Sequence, residues 1–270
     1  MSVIDSINAQ RRKDVQLQAQ AVTIEQLKTS PLYHRTCSSL RKALLNSGPV
    51  AVIAEHKRAS PSEGQYGCPS DLEAVVRGYQ KAGVAAISIL TEPHRFGGSL
   101  AHLTQARALT NLPLLRKDFI VTPYQLHEAK SAGADAVLLI AAGLTLPEAN
   151  DLAVLARDLG LDVLLELHDA TELDYLTINP DVVGINNRNL KTLKIDLQSS
   201  IDLFDQLPTD LVKISESGIQ NPVDAERLLT RGYQGLLVGT QFMKTSDPGE
   251  ACHAFIEAST RLLESQKPAL

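Results

Sequence analysis

The chain has 270 residues, 44% of them hydrophobic and 21% charged, with 16 Gly and 13 Pro, a make-up that supplies a sizeable core and excludes a largely disordered polymer. A net charge of −5 lacks the basic surface that nucleic acid demands, and no apolar run reaches the roughly 18 to 20 residues of a membrane span. Cys37, Cys68 and Cys252 have no C-x-x-C spacing and the seven histidines no metal-ligand spacing, so neither a disulfide framework nor a metal site is expected.

The opening "MSVIDSINAQRRKD" reaches charges before any signal-peptide core, which points to a cytoplasmic chain. Residues 1–49 read as a helical extension. "SVIDSINAQRRKDVQLQAQ" is polar with spaced apolar positions, and Thr23 with Gln26 has capping-box spacing. "SSLRKALLNSG" is a further helix, stopped at Gly48 and Pro49.

From Val50 the rhythm changes. Eight short apolar runs, "VAVIAE", "VAAISIL", "LPLLRK", "DAVLLI", "DVLLEL", "DVVGIN", "LVKISE" and "GLLVG", alternate with amphipathic stretches, the pattern of strands buried on both faces. In "KAGVAAISI", "SAGADAVLL" and "TRGYQGLLV" a glycine closes a helix just ahead of a strand. These glycines, Gly83, Gly133 and Gly232, are 50 and 99 residues apart, two and four units of about 25, the length of one βα unit. The fold class is therefore α/β, a (βα)8 TIM barrel over residues 50–270 behind the helical extension. The first βα turn has no G-x-G-x-x-G, which removes the main support for a dinucleotide fold.

In such barrels chemistry collects where the strands end. Here the runs end in Glu55 and Lys57, Lys117-Asp118, Glu166, Asn186 and Arg188, and Glu216-Ser217. A lone Lys or Glu past a strand is ordinarily a solvated rim residue, but five strands ending this way converge on one mouth, with lysines among carboxylates as acid–base work requires. After the last two runs, Ser217, Gly218, Gly239 and Thr240 leave backbone N–H groups open to a phosphate, with a short helix from Thr240 aimed at it; the plain alternative is two turns that need glycine. Phe96 and Phe119 are loop residues that either cap the core or wall an aromatic substrate. On these residues alone an Amadori isomerase, a Schiff-base aldolase using Lys117, and a silent barrel that binds a phosphorylated ligand all stay open.

The ordered stretches "IAEHKRASPS", "FGGS", "LLRKDFI", "GINNRNL", "ISESGI" and "LLVG", running from Val50 to Met243, resemble the indole-3-glycerol phosphate synthase family of tryptophan biosynthesis. The resemblance implies a lyase that closes 1-(2-carboxyphenylamino)-1-deoxyribulose 5-phosphate into indole-3-glycerol phosphate with loss of CO2 and water, without a cofactor. Its small phosphorylated substrate would be its partner, with neither nucleic acid nor membrane involved. By motif match Lys117 is the general acid of ring closure, Lys57 a second, substrate-binding lysine and Glu166 the acid–base group of dehydration. Glu55 would hold Lys117, and Asn186 would meet the reacting hydroxyls. Arg188 and Ser60 would take the substrate carboxylate, Phe96, Phe119 and Leu190 the anthranilate ring, and Gly218, Gly239 and Thr240 the phosphate. Glu216 and Ser217 match the family's glutamate and serine in the seventh-strand turn. The chain departs from the pattern at His56, which is expected to face away from the mouth, and at Glu63, Asn189 and Thr240-Gln241.

Overall fold

Eight runs of β-branched and leucine residues, each too apolar to leave either face in water, become eight parallel strands. In the computed structural model, which describes residues 3–60, 64–66, 71–190 and 192–265, they are β1 Val52–His56, β2 Ala86–Leu90, β3 Leu114–Lys117, β4 Ala136–Ile140, β5 Asp162–Leu167, β6 Val182–Asn186, β7 Val212–Glu216 and β8 Gly235–Val238. Each pairs with its sequence neighbours, and β8 returns to β1 through Ile53 opposite Leu237, closing the barrel. Gly83, Gly133 and Gly232 each precede a strand with φ of +79°, +87° and +115°, the left-handed conformation that lets a helix turn back to the sheet.

Alternation along each strand separates two apolar layers. Ile53, Leu115, Leu138, Leu164, Ile214 and Leu237 fill the barrel interior. Val52, Ala54, Ile87 and Ile89 face outward, where they join helix residues such as Val76, Leu103 and Leu126. His56 falls on this outer side, edge-on to His102 with ring centroids 5.9 Å apart, as its odd-even position relative to Glu55 requires. Burial, then the nearby His102 and Arg58, push its pKa down to about 4, so it is neutral.

Of the N-terminal helices α1 Val3–Ala21, α2 Ile24–Lys28 and α3 Leu40–Asn46, α1 and α3 cover opposite ends of the barrel and α2 packs on the helix Pro123–Ser131. α2 starts on the Thr23–Gln26 capping box. α3 starts at Ser39, whose hydroxyl also donates to Asp162 at the beginning of β5; its Leu40 and Leu44 enter the interior cluster from the strand-start end. α1 lies at the opposite end. Its Asn8 amide donates to the Gly143 carbonyl, and Arg11 forms a two-pronged pair with Asp118 at 2.8 and 3.1 Å. Asp118 also accepts from Arg116 and Thr91, and Arg116 reaches Glu128, so a buried polar cluster pins α1 next to the end of β3.

A short antiparallel hairpin, Ala59–Ser60 with Gly64–Gln65, follows β1; it has no apolar run to betray it in the sequence. Pro61, Glu63 and Cys68 lie outside the described residues. Among the described residues no helix is long and apolar enough to cross a membrane.

Candidate active site

Because side chains alternate, the inward-facing residue at each strand end is determined once the core residue two before it faces in. Ile53 therefore brings Glu55 inward, Leu115 brings Lys117, Leu164 brings Glu166 and Ile214 brings Glu216. All four line one cavity of about 580 Å³ at the C-terminal ends of the strands, together with Asn186 and Lys57.

At its centre the Lys117 ammonium donates to Glu166 Oε2 at 2.9 Å and to Glu216 Oε2 at 3.0 Å. Burial alone would lower the Lys117 pKa, but Glu166, Glu216 and Glu55 outweigh it and raise it, so the group is firmly an ammonium. Glu166 shows the converse. Burial pushes its carboxyl up, while Lys117, the nearby His168 and the Asn186 amide, which donates to Oε1 at 3.0 Å, bring it below the usual carboxylate range. Burial and then the neighbouring Glu166 push Glu216 up to about 7, with Lys117 opposing. Two carboxyl groups in one cluster are thus driven apart in acidity.

Glu55 differs from expectation: its carboxylate pairs with Lys57 Nζ at 2.7 Å, and the side chains that hold Lys117 are Glu166 and Glu216. Two residues apart on one extended stretch, Glu55 and Lys57 meet directly, whereas Lys117 on β3 reaches across the mouth to β5 and β7. Glu55 acts on Lys117 only through its field.

The other expected residues line the same cavity. Phe96 and Phe119 face each other with ring centroids 6.3 Å apart. The Glu92 carboxylate accepts from the backbone of His94, Arg95 and Phe96 and so fixes the turn bearing Phe96. In "FGGS" the two glycines serve different ends: Gly97 has φ of +62°, while a Cβ at Gly98 would stand 2.6 Å from the Leu90 carbonyl oxygen. Leu190 packs on the interior cluster. The Arg188 backbone N–H donates to Asn186 Oδ1. Asn189 accepts from the Thr192 N–H, a loop contact that an aspartate makes equally well.

At the far edge, Ser217 and Gly218 are both left-handed, with φ of +67° and +79°. A non-glycine residue there is strained, and Asn187 steadies it by donating to the Ser217 carbonyl at 3.0 Å. Gly239 has an ordinary φ; its glycine is required because a Cβ would stand 2.5 Å from Glu55 Oε1. Thr240 begins the one-turn helix Thr240–Met243, and its hydroxyl is 3.2 Å from that of Tyr66, which is 3.1 Å from Ser60 Oγ. Ser60 thereby joins the Thr240 end of the cavity to the hairpin after β1.

Three residues that shape the cavity have no role assigned by the sequence motifs. Ile4 and Ile7 of α1 reach the cavity, and nothing in a polar helix marks which face will cover a distant mouth. Gly184 sits inside β6, where a Cβ would stand 2.6 Å from Glu216 Oε1; a glycine in mid-strand was the available signal of close approach. Among the described residues no group of three or more His, Cys, Asp or Glu could hold a metal ion.

The family described as indole-3-glycerol phosphate synthase matches residues 4–255. This chain belongs to that family. It is 46% identical over 256 residues to an indole-3-glycerol phosphate synthase of Bacteroides thetaiotaomicron, covering 95% of this chain and 98% of the relative. To that of Salinibacter ruber it is 42% identical, covering 93% and 94%. A solved 3-hexulose-6-phosphate synthase from Salmonella typhimurium superposes with a TM-score of 0.63 at 11% identity over 78% of this chain and 99% of that one, a likeness of barrel alone.

Proposed function

We propose that this family member closes 1-(2-carboxyphenylamino)-1-deoxyribulose 5-phosphate into indole-3-glycerol phosphate, CO2 and water, with Lys117 as the acid of ring closure. The observation that carries the assignment is the Lys117 ammonium held between two carboxylates in a cavity with an aromatic pair at one side and a glycine-lined edge at the other.

The ring carbon that bears the carboxylate attacks the sugar ketone, and the ketone oxygen becomes an alkoxide. An alkoxide is a far stronger base than Glu166 or Glu216, so it takes the proton that those carboxylates leave on Lys117. Loss of CO2 returns the bonding pair to the ring. Departure of the new hydroxyl as water then needs one group to protonate it and another to remove a carbon-bound proton. Glu166 serves as an acid–base group of this step, with Lys57 on Glu55 as the second cation and Asn186 bonding the hydroxyls. The guanidinium of Arg188 and the Ser60 hydroxyl take the carboxylate; Phe96, Phe119 and Leu190 hold the ring; Ser217 and Glu216 shape the seventh-strand turn; and backbone donors at Gly218, Gly239 and Thr240 take the phosphate. Residues 1–49 and 50–270 work as one unit, because Ile4 and Ile7 complete the wall. Free thiols at Cys37 and Cys252 suit a reducing cytoplasm.

Purified protein given this substrate should produce indole fluorescence at an undiminished rate in EDTA. No turnover, or turnover abolished by the chelator, sinks the assignment.

A further inference from the structure

His168 follows Glu166 by two positions, just past the end of β5, and lies behind the cavity wall rather than on it. Its side chain is 9% exposed. Nε2 is 3.2 Å from Glu166 Oε1, and Nδ1 is 3.4 Å from Oε2 of Glu172. Glu172, in the 3-10 helix Ala170–Ile178, also accepts the His168 backbone N–H at 2.7 Å, so it grips the residue at ring and main chain together. With a carboxylate oxygen close to each ring nitrogen, hydrogen bonding and charge together favour the protonated ring.

A histidine that only fills the core ordinarily finds a backbone carbonyl or hydroxyl for its ring. This one faces a carboxylate on each ring nitrogen. Burial opposes charging it, yet Glu166 and Glu172 together raise its pKa to about 10, so it is an imidazolium through the neutral range. Around Lys117 stand the carboxyl groups of Glu55, Glu166 and Glu216, and a cation that meets Glu166 from outside the cavity lining stabilises its anion without occupying the cavity.

Among the described residues, the ring makes ion pairs with Glu166 and Glu172 alone. The 3-10 turn Ala141–Gly143, packed on both β5 and the Ala170–Ile178 helix, carries no titratable side chain. From the helix Leu146–Asp158, Glu148 turns to Arg12 and Arg157 to the Ile178 carbonyl, while Asp151 and Asp158 are exposed. Around Glu166 itself stand Lys117 from β3, Asn186 from β6 and, through its field, Glu216 from β7.

We propose that His168 is a positioning residue: an imidazolium clamped by Glu172, it keeps Glu166 an anion and fixes Oε1, so that Oε2 stays on Lys117. The proposal rests on the reading of Glu166 as an acid–base group. Removing the imidazolium leaves the Glu166 anion less stabilised, so its pKa rises and the acid limb of kcat moves to higher pH. Removing Glu172 lowers the pKa of the ring, so the alkaline limb moves to lower pH.

The test is the pH profile of kcat and KM for His168→Gln and Glu172→Gln, with an NMR titration of the His168 ring in the unmodified protein. His168→Gln should lose about tenfold or more in kcat with KM changed far less, and each variant should move its limb by about 1 unit or more. The ring should stay charged beyond pH 8. Wild-type profiles in both folded variants, a fall in Tm alone, or a ring titrating near its ordinary value of about 6.5 overturns the proposal. Should His168→Gln fail to fold, Glu172→Gln, which retains the ring, decides by its alkaline limb. Normal kcat in Glu166→Gln would instead remove the role of Glu166, and with it the basis of the proposal. An inactive Glu166→Gln beside an unaffected His168→Gln removes only the role of His168.

Discussion

The two ends of the barrel are closed by helices from the same 49-residue extension, in opposite ways. At the strand-start end α3 inserts Leu40 and Leu44 into an apolar cluster, so tightly that a Cβ on Gly235 would stand 2.7 Å from Leu44. At the strand-finish end α1 brings Ile4 and Ile7 to the rim of an open cavity and is tied down by ions, Arg11 on Asp118. One end gains stability from excluded water; the other gives some up to keep charges together where a substrate can reach them. The difference teaches that one barrel interior divides into a layer that folds the chain and a layer that reacts.

Variants at the two ends should therefore separate rate from stability. The largest effect is expected at Lys117: Lys117→Ala should lower kcat by at least about 10²-fold, the scale of acid–base catalysis, in protein that is still folded, and a denaturant melt read beside steady-state turnover separates this loss from the stability cost of leaving Glu166 and Glu216 without their cation. Leu44→Ala should do the reverse, costing about 2–5 kcal/mol in the melt with kcat unchanged below the transition. An equal loss of kcat in Leu44→Ala would erase the distinction between the ends.

Glu216→Gln sharpens the comparison by its sign. The folded-state pKa of Glu216, about 7, lies above the ordinary carboxylate value, so ionising it costs folding free energy as pH rises from the unfolded pKa through 7. The amide removes that cost. Stability of the variant should exceed that of the parent above pH 7 by about 1–3 kcal/mol, with the gain vanishing near pH 4, while activity falls; a variant less stable at pH 8 contradicts the strain assigned to the mouth.

The smallest effect belongs to α1. Arg11→Ala should cost about 1–3 kcal/mol, the worth of hydrogen bonds to a buried charge, and raise KM more than it lowers kcat, because α1 walls the cavity without touching the reacting atoms. Unchanged KM would mean that α1 is a brace and no part of the site.

Much of this is legible in the sequence. Eight apolar runs in units of about 25 residues, with three helix-ending glycines and no G-x-G-x-x-G turn, favoured a closed parallel barrel over an open doubly wound sheet, because strands buried on both faces suit either. Their place at the ends of successive runs brought Glu55, Lys57, Lys117, Glu166 and Glu216 to one mouth, and alternation along the strand put Glu55 and Lys57 on one side and His56 on the other. Only the tertiary structure decided the pairing: that Glu55 takes Lys57 while Glu166 and Glu216 take Lys117, that Gly184 yields its side-chain space to Glu216, that α1 and α3 part to opposite ends, and that His168 backs Glu166. Periodicity is a property of one strand and can be read from it. Ion pairs, close approaches and docked helices depend on distances between segments remote in the chain, and closing the barrel is what sets those distances.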